Sequence, residues 1–378
     1  MTTRYDNLVV YDIAFPQFLD NRILDYDLMK EYPGAGAISS LASRLADLNV
    51  EMITADRYLQ KTPDAKRVVV LSNEQTRFTP KLLDGHGLRG SVCLSGESPI
   101  VAWRFYSNLP ETAKRYDNLL LFPGARPMTA GRSCFHDFFW PCPDLLPLQG
   151  APWEQRRQLL ALVSSNKRAF GWPRPLFELR SPKVSLGRWY RTLEARSARR
   201  KHHWMAHDLY LKRISAIRYF GTTDGLDLYG RDWHEPVSGA DATTRHAIAQ
   251  SYRGPIASGG KLETLTGYKF ALCFENTIFP GYITEKLFDC LLAGTIPIYL
   301  GAPDIDTYVP KDVFIDFRDF KNYSSLDDFL RNMPAEDAHK KIEAARNFLG
   351  SKQAQRFTEH AQADLLTDLL LDSLSKVR

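Results

Sequence analysis

Two kinds of hydrophobic pattern alternate along this chain. Residues 7–13, 50–54, 67–72, 91–94 and 118–122 are short, nearly unbroken apolar runs, the form taken by strands buried on both faces. Between them apolar positions recur at helical spacing: Ile38, Leu41, Leu45 and Leu48 line one face just after a turn at Gly34 and Gly36. Strand alternating with helix predicts a parallel sheet wrapped by helices. The pattern breaks from Pro123 to Pro152, where Pro127, Pro141, Pro143 and Pro147 stand among aromatic residues. A second series follows, with strands predicted at 159–164, 226–229, 268–274, 296–300 and 313–317 and helices at 209–220 and 284–293. Near the end Phe357, Ala361, Leu365, Leu366, Leu369 and Leu370 again fall at helical spacing.

The 378 residues are more than one core usually spans. The pattern divides them into an N-terminal Rossmann-like domain at 1–150, a second Rossmann-like domain at 151–350, and an amphipathic helix at 351–378 that packs on the domains. Two β/α/β halves facing a cleft define the GT-B class of α/β fold, with ligands expected at the carboxyl ends of the strands.

Composition and charge narrow the function. No stretch reaches the roughly 18 apolar residues of a membrane span, and the first six residues are polar. Cys93, Cys134, Cys142, Cys273 and Cys290 are odd in number and lack metal-ligand spacing, as expected of reduced thiols. A cytoplasmic protein is expected. Its net charge of +5 is concentrated between Arg188 and His203, where Arg188, Arg191, Arg196, Arg199, Arg200 and Lys201 face only Glu194. That run is either a solvated face or a patch for anionic lipid or acidic glycan at the inner side of a membrane. Nucleic acid is not expected, because no recognition motif accompanies the charge.

The richest segment runs from Tyr268 to Gly294. An apolar strand ends in Glu275-Asn276, a Pro280-Gly281 turn follows, and a helix opens with Thr284 as its cap and stops at Gly294. Ile283, Leu287, Cys290 and Leu291 mark its buried side. Lys286 in the first turn opposes the helix dipole, unless an anion such as a diphosphate sits at that terminus. Otherwise it is a solvated surface residue. Glu285 either complements the dipole or accepts hydrogen bonds from a ribose diol. Asn276 and Tyr282 flank the corner, as turn former and half-buried aromatic or as ligand contacts.

Phe274-Glu275-Asn276, Tyr282-Ile283-Thr284-Glu285-Lys286 and Thr295 to Gly301 together resemble the donor-binding motif of the α-1,3/4-fucosyltransferases, glycosyltransferase family 10. Phe314 to Phe320 resembles that family's short strand and Asp-Phe pair. The resemblance implies a GT-B fold, GDP-fucose as donor and inversion at the anomeric carbon. It implies that Glu285 binds the ribose and that Lys286, Tyr282 and Asn276 bind the diphosphate. Residues 162–167 resemble the strand opening the family's donor domain, and 211–217 the helix with its phosphate-binding arginine, which gives Arg213 that role, with Arg218 close by as the alternative. The acceptor is expected to be an oligosaccharide or glycolipid, and a bacterial-type enzyme without the anchor of animal relatives is implied.

Transfer to a sugar hydroxyl needs a group to take the proton. Glu97, in Ser95-Gly96-Glu97-Ser98-Pro99 beyond a predicted strand, stands where a parallel sheet presents catalytic groups and resembles the sequence carrying the family's proposed base. Alternatively it is a solvated loop acid. Gly85-His86-Gly87-Leu88-Arg89-Gly90 matches a dinucleotide fingerprint as text, but it precedes a strand and opens no helix. Asp25-Tyr26-Asp27 and Asp304-Ile305-Asp306 match the Asp-x-Asp pattern of metal-dependent transferases. With lysine and arginine assigned to the diphosphate they are read as turn formers, and no metal or other cofactor is expected. Two other functions remain open: a relative using another GDP-sugar, and a catalytically silent glycan-binding protein with the same shell.

Overall fold

The structure is a computed structural model. It describes residues 4–377 apart from 30, 31, 33, 132, 133, 144, 149, 167–196, 198, 199, 201, 203–207, 224, 238, 239 and 258. The chain divides into two compact units, Met1–Leu145 with Ala354–Arg378, and Leu146–Gln353.

In the first unit, β1 (Arg4–Asp12), β2 (Glu51–Thr54), β3 (Asp64–Asn73), β4 (Arg89–Leu94), β5 (Tyr116–Leu121) and β6 (Cys134–Asp137) form one sheet in the order β2-β1-β3-β4-β5-β6. Every pairing is parallel. Leu8, Val9 and Val10 are all fully buried, as are Val69, Val70 and Leu71, so the strands read as unbroken apolar runs. The helix Gly36–Asp47 buries Ile38, Leu41 and Leu45 but ends before Leu48, which is half exposed. The terminal helix Glu359–Ser375 packs on Gly36–Asp47, β3 and β4 through Leu366, Leu370 and Leu374, and Arg44 pairs with Asp364.

The terminal segment, read as a separate piece packing on the domains, clusters with the first unit. The proline-rich stretch contains β6 and buries Phe138 and Cys142 in the first unit. β6 is four residues long at the sheet edge with no fully buried side chain, so it lacks the apolar run that marks the other strands.

In the second unit, β7 (Gln158–Val163), β8 (Leu226–Tyr229), β9 (Tyr268–Phe274), β10 (Ile296–Leu300) and β11 (Ile315–Asp316) are ordered β11-β10-β9-β7-β8, again all parallel. The strand expected at 313–317 shrinks to two residues. Asp316 Oδ1 accepts from the Arg318 N–H at 2.9 Å and turns the chain away from the sheet. Helices Ala242–Ser251, Lys261–Thr266, Tyr323–Arg331 and Ala335–Leu349 add to the Tyr210–Phe220 and Glu285–Leu292 pair expected from the pattern. Phe220, Phe270, Ile298 and Leu326 lie in one fully buried cluster.

Strand order reverses between β1 and β3 in the first sheet and between β7 and β9 in the second. Successive crossovers leave such a point on opposite faces, which opens a crevice at the carboxyl ends of the flanking strands. No helix among the described residues is long and apolar enough to cross a membrane.

Candidate functional site

The second sheet's reversal brings the ends of β7 and β9 together, and the predicted donor residues gather there. Arg213, 3% exposed on the helix Tyr210–Phe220, ties the two strand ends. Its Nε and Nη2 donate to the Phe274 carbonyl at 3.1 and 2.7 Å, Nη2 to Asn276 Oδ1 at 3.0 Å, and Nη1 to Ser164 Oγ at 3.4 Å. Burial pulls the guanidinium below its ordinary value while Glu275 opposes the fall, and arginine stays charged. Arg218 points elsewhere, half exposed and 3.1 Å from Asp241. Asn276 Nδ2 donates to the hydroxyl of buried Tyr282 at 3.1 Å.

The helix Glu285–Leu292 stops before Gly294, whose φ of +64° explains the glycine. Thr284 occupies the cap position, but its side chain does not cap. Its N–H donates to Glu275 Oε1 at 2.8 Å, and its hydroxyl lies 3.0 Å from the same carboxylate. Lys286 Nζ donates to Glu275 Oε2 at 3.1 Å and to Thr284 Oγ1 at 2.8 Å, and lies 3.6 Å from Glu285 Oε1. The surface reading of Lys286 is thus wrong: its side chain is 19% exposed and anchored on a fully buried acid.

Glu275 is the residue to which sequence reasoning gave no role, naming it only as the end of a strand and part of a motif. The available signal was an acid closing an otherwise apolar strand. Its surroundings are tight, since a Cβ at Gly301 would come within 2.6 Å of Glu275 Cγ and 2.5 Å of the Tyr299 hydroxyl.

On the other side of Glu285, Lys261 pairs with Asp289 and lies 4.0 Å from Glu285 Oε1. Burial works to raise the Glu285 carboxyl, but Lys286 and Lys261 outweigh it and hold the group at about 2. Burial works against the Lys261 and Lys286 charges too, and the neighbouring acids raise both. Three cations and three anions thus cluster around one helix N-terminus, where an ammonium and a guanidinium are placed to meet an anion.

Glu97 belongs to the first unit, in the turn that follows β4. Its backbone carbonyl accepts from the Tyr106 hydroxyl at 3.1 Å and from Ser95 Oγ at 3.4 Å, and its side chain is partly buried. Asp25 does local turn chemistry, its Oδ1 accepting from the Leu28 N–H at 3.2 Å. Asp304 does not cap its own turn: its Oδ1 accepts at 2.8 Å from the Gly281 N–H, far along the chain, and braces the Pro280-Gly281 turn. Among the described residues no three His, Cys, Asp or Glu side chains are grouped to hold a metal ion. The stretch from Gly85 runs into β4 and opens no helix. The run from Arg188 to His203, and Lys167, lie outside the described residues except for positions 197, 200 and 202.

Residues 204–348, which hold every element of the donor corner except Ser164, match the description "Glycosyltransferase family 10 (fucosyltransferase) C-term". Over those residues the chain is similar to the family 10 fucosyltransferases. An α-(1,3)-fucosyltransferase of Helicobacter pylori is 37% identical over 97 residues, 26% of this chain. The matched stretch spans about a fifth of that relative's length (19%). A crystal structure of an α1,3-fucosyltransferase superposes with a TM-score of 0.50 at 14% identity, covering 97% of this chain and 91% of that one. Sucrose-phosphate synthase from Thermosynechococcus elongatus gives 0.55 at 9% identity, with 98% and 100% covered. At such identities the superpositions speak to fold alone. The fold is GT-B, two parallel-sheet α/β domains.

Proposed function

We propose that this protein transfers L-fucose from GDP-β-L-fucose to a hydroxyl of an oligosaccharide or glycolipid, with inversion, to form an α-1,3 or α-1,4 linkage. The observation that carries the reading is the Lys286 ammonium, held by buried Glu275 at a helix N-terminus beside Arg213, inside the stretch similar to family 10. Lys286 and Arg213 bind the diphosphate at that terminus, Asn276 and Tyr282 complete that end, and Glu285 accepts from the ribose hydroxyls.

Chemistry follows as one displacement. The acceptor oxygen bonds to the anomeric carbon and gives its proton to Glu97, while the bond from that carbon to the phosphate oxygen breaks and GDP takes the electron pair. Charge grows on the diphosphate, which is where fixed cations lower the barrier most. No metal enters this scheme, since side-chain cations meet the diphosphate. The enzyme is proposed to work in the cytoplasm or at the inner face of a membrane, with 188–203 as the contact.

The test is GDP release from GDP-fucose and other GDP-sugars across a panel of glycan acceptors, with the product linkage read by NMR. Release with GDP-fucose and an α-linked product is expected. Preference for another GDP-sugar would overturn the donor, and GDP binding without transfer to any acceptor would leave a glycan-binding shell.

A further inference from the structure

The first unit holds a second acid that the proposed function does not use. β3 and β4 pair in parallel with Asn73 opposite Leu94, so Glu74 and the turn Ser95-Gly96-Glu97 leave adjacent strands side by side. β3 also flanks the point where this sheet's order reverses, the place where a parallel sheet gathers its functional groups. Three hydrogen-bonding groups favour the ionised Glu74 carboxylate: its own N–H, the Gly96 N–H and the Ser95 hydroxyl, whose one proton is shared with the Glu97 carbonyl. Glu74 therefore holds the turn that carries Glu97. Its Oε2 is nonetheless buried without a hydrogen-bond partner among the described residues, an arrangement that favours a protonated acid.

The titratable groups facing Glu74 come from every neighbouring element: Tyr11 of β1, Cys93 of β4, Tyr106 of the helix Trp103–Ser107, and Glu97. Burial first, and the Glu97 charge second, push the Glu74 carboxyl up to about 7.

We propose that Glu74 is a positioning residue for the transfer, fixing the turn that bears Glu97 and, when ionised, raising the proton affinity of Glu97 by like-charge repulsion. This rests on the reading of Glu97 as the base. The Glu97 charge acts on Glu74, so the two carboxylates do not ionise independently, and ionising one makes the other a stronger base. The proton given up by the acceptor hydroxyl ends on Glu97, and Glu74 never touches the sugar. The rate rises once as Glu97 ionises and again as Glu74 does.

The experiment is the pH profile of kcat/KM, from pH 5 to 9, for the full chain and its Glu74→Gln and Glu97→Gln variants. Wild type should show a step near pH 7. Glu74→Gln keeps an acceptor for Gly96 and Ser95 but has no charge to lose. It should erase the step and lower the rate at pH 8 by roughly 3- to 10-fold, with KM for GDP-fucose unchanged. A purely structural role would lower the rate equally at every pH and keep the step. Should that variant fail to fold, Glu74→Asp keeps the charge and should retain the step while lowering kcat. A wild-type profile without the step, or a step surviving in folded Glu74→Gln, overturns the proposal. Inactive Glu97→Gln beside an unaltered Glu74→Gln profile sinks this inference alone, whereas near-normal transfer by Glu97→Gln sinks the base and this inference with it.

Discussion

Removing the Lys286 ammonium should injure folding and nucleotide binding together, by amounts that can be separated. Glu275 is fully buried, and Lys286 is its one ion-pair partner among the described residues. Taking one partner from a buried pair costs roughly 3 to 5 kcal/mol, because a charge is left without compensation. The Thr284 N–H and hydroxyl still reach the carboxylate in Lys286→Ala, which places the expected loss at about 3 kcal/mol. In a unit of this size each kcal/mol moves Tm by roughly 2 to 4 °C, so a fall of about 6 to 12 °C is expected. Neutralising both partners, as Glu275→Gln with Lys286→Met, should recover most of that stability, since a buried pair is close to break-even against neutral groups of similar volume.

Binding should not recover. Both the single and the double variant lack the ammonium, and one charge-assisted contact to a phosphate is worth roughly 1.5 to 3 kcal/mol. Calorimetric Kd for GDP should therefore rise about 10- to 150-fold in each. The two readouts test different links. A Lys286→Ala protein with wild-type Tm would mean that the pair is not part of the fold's support. A well-folded double variant that binds GDP with wild-type affinity would remove Lys286 from the donor site.

Glu97→Gln keeps the shape of the side chain but cannot take a proton, so transfer should fall by at least roughly 10²-fold while calorimetric GDP affinity holds; near-normal turnover would send the search for the base elsewhere. Transfer should survive EDTA, and complete loss restored by manganese would give an Asp-x-Asp pair the role denied to it here. Lys286 and Lys261 hold Glu285 at about 2, below its unfolded value of about 4.3, so its stabilisation is present above pH 4 and disappears as pH falls toward 2. Glu285→Gln should cost about 3 kcal/mol at pH 7 and flatten stability against pH across that window, and a denaturation midpoint that falls as steeply as wild type would exclude the pairing.

Much of the fold was legible because both sheets are parallel and buried. β9 and β10 stand at the residues read from their apolar runs, since no alternation blurs such strands, and β8 stands at the short alternating run Leu226–Tyr229. The edge strands β6 and β11 were not legible: the first has no buried side chain, and the second is cut short by a side-chain bond from Asp316. Residues 274–286 and 295–301, which carry the resemblance, lie inside the matched family domain. Tertiary packing brings Arg213 to the end of β9 and leaves Arg218 beside Asp241. Five residues apart on a helix, they point about 140° away from each other, so both cannot enter one corner. Which one does depends on where the face that touches β9 falls, and the helix carries too many polar residues for its sequence to say.

Glu275 was hidden for a different reason. In the sequence it is one acid at a strand end, eleven residues before Lys286, and nothing local links them. The fold supplies the link by turning the chain through Pro280-Gly281 so that the first turn of the helix returns over the end of β9. The consequence reaches the chemistry. A lysine in the first turn is repelled by the helix dipole and, left alone, would swing into solvent. The buried carboxylate holds it with Nζ fixed between Glu275, Thr284 and Glu285. A diphosphate arriving there meets a cation that has already lost its rotamer freedom, so little ordering cost remains at binding. The same carboxylate also competes with the phosphate for the ammonium. Preorganisation and competition act in opposite directions on GDP affinity, a balance that would suit the proposed reaction, in which GDP must leave after every turnover as well as the GDP-sugar bind.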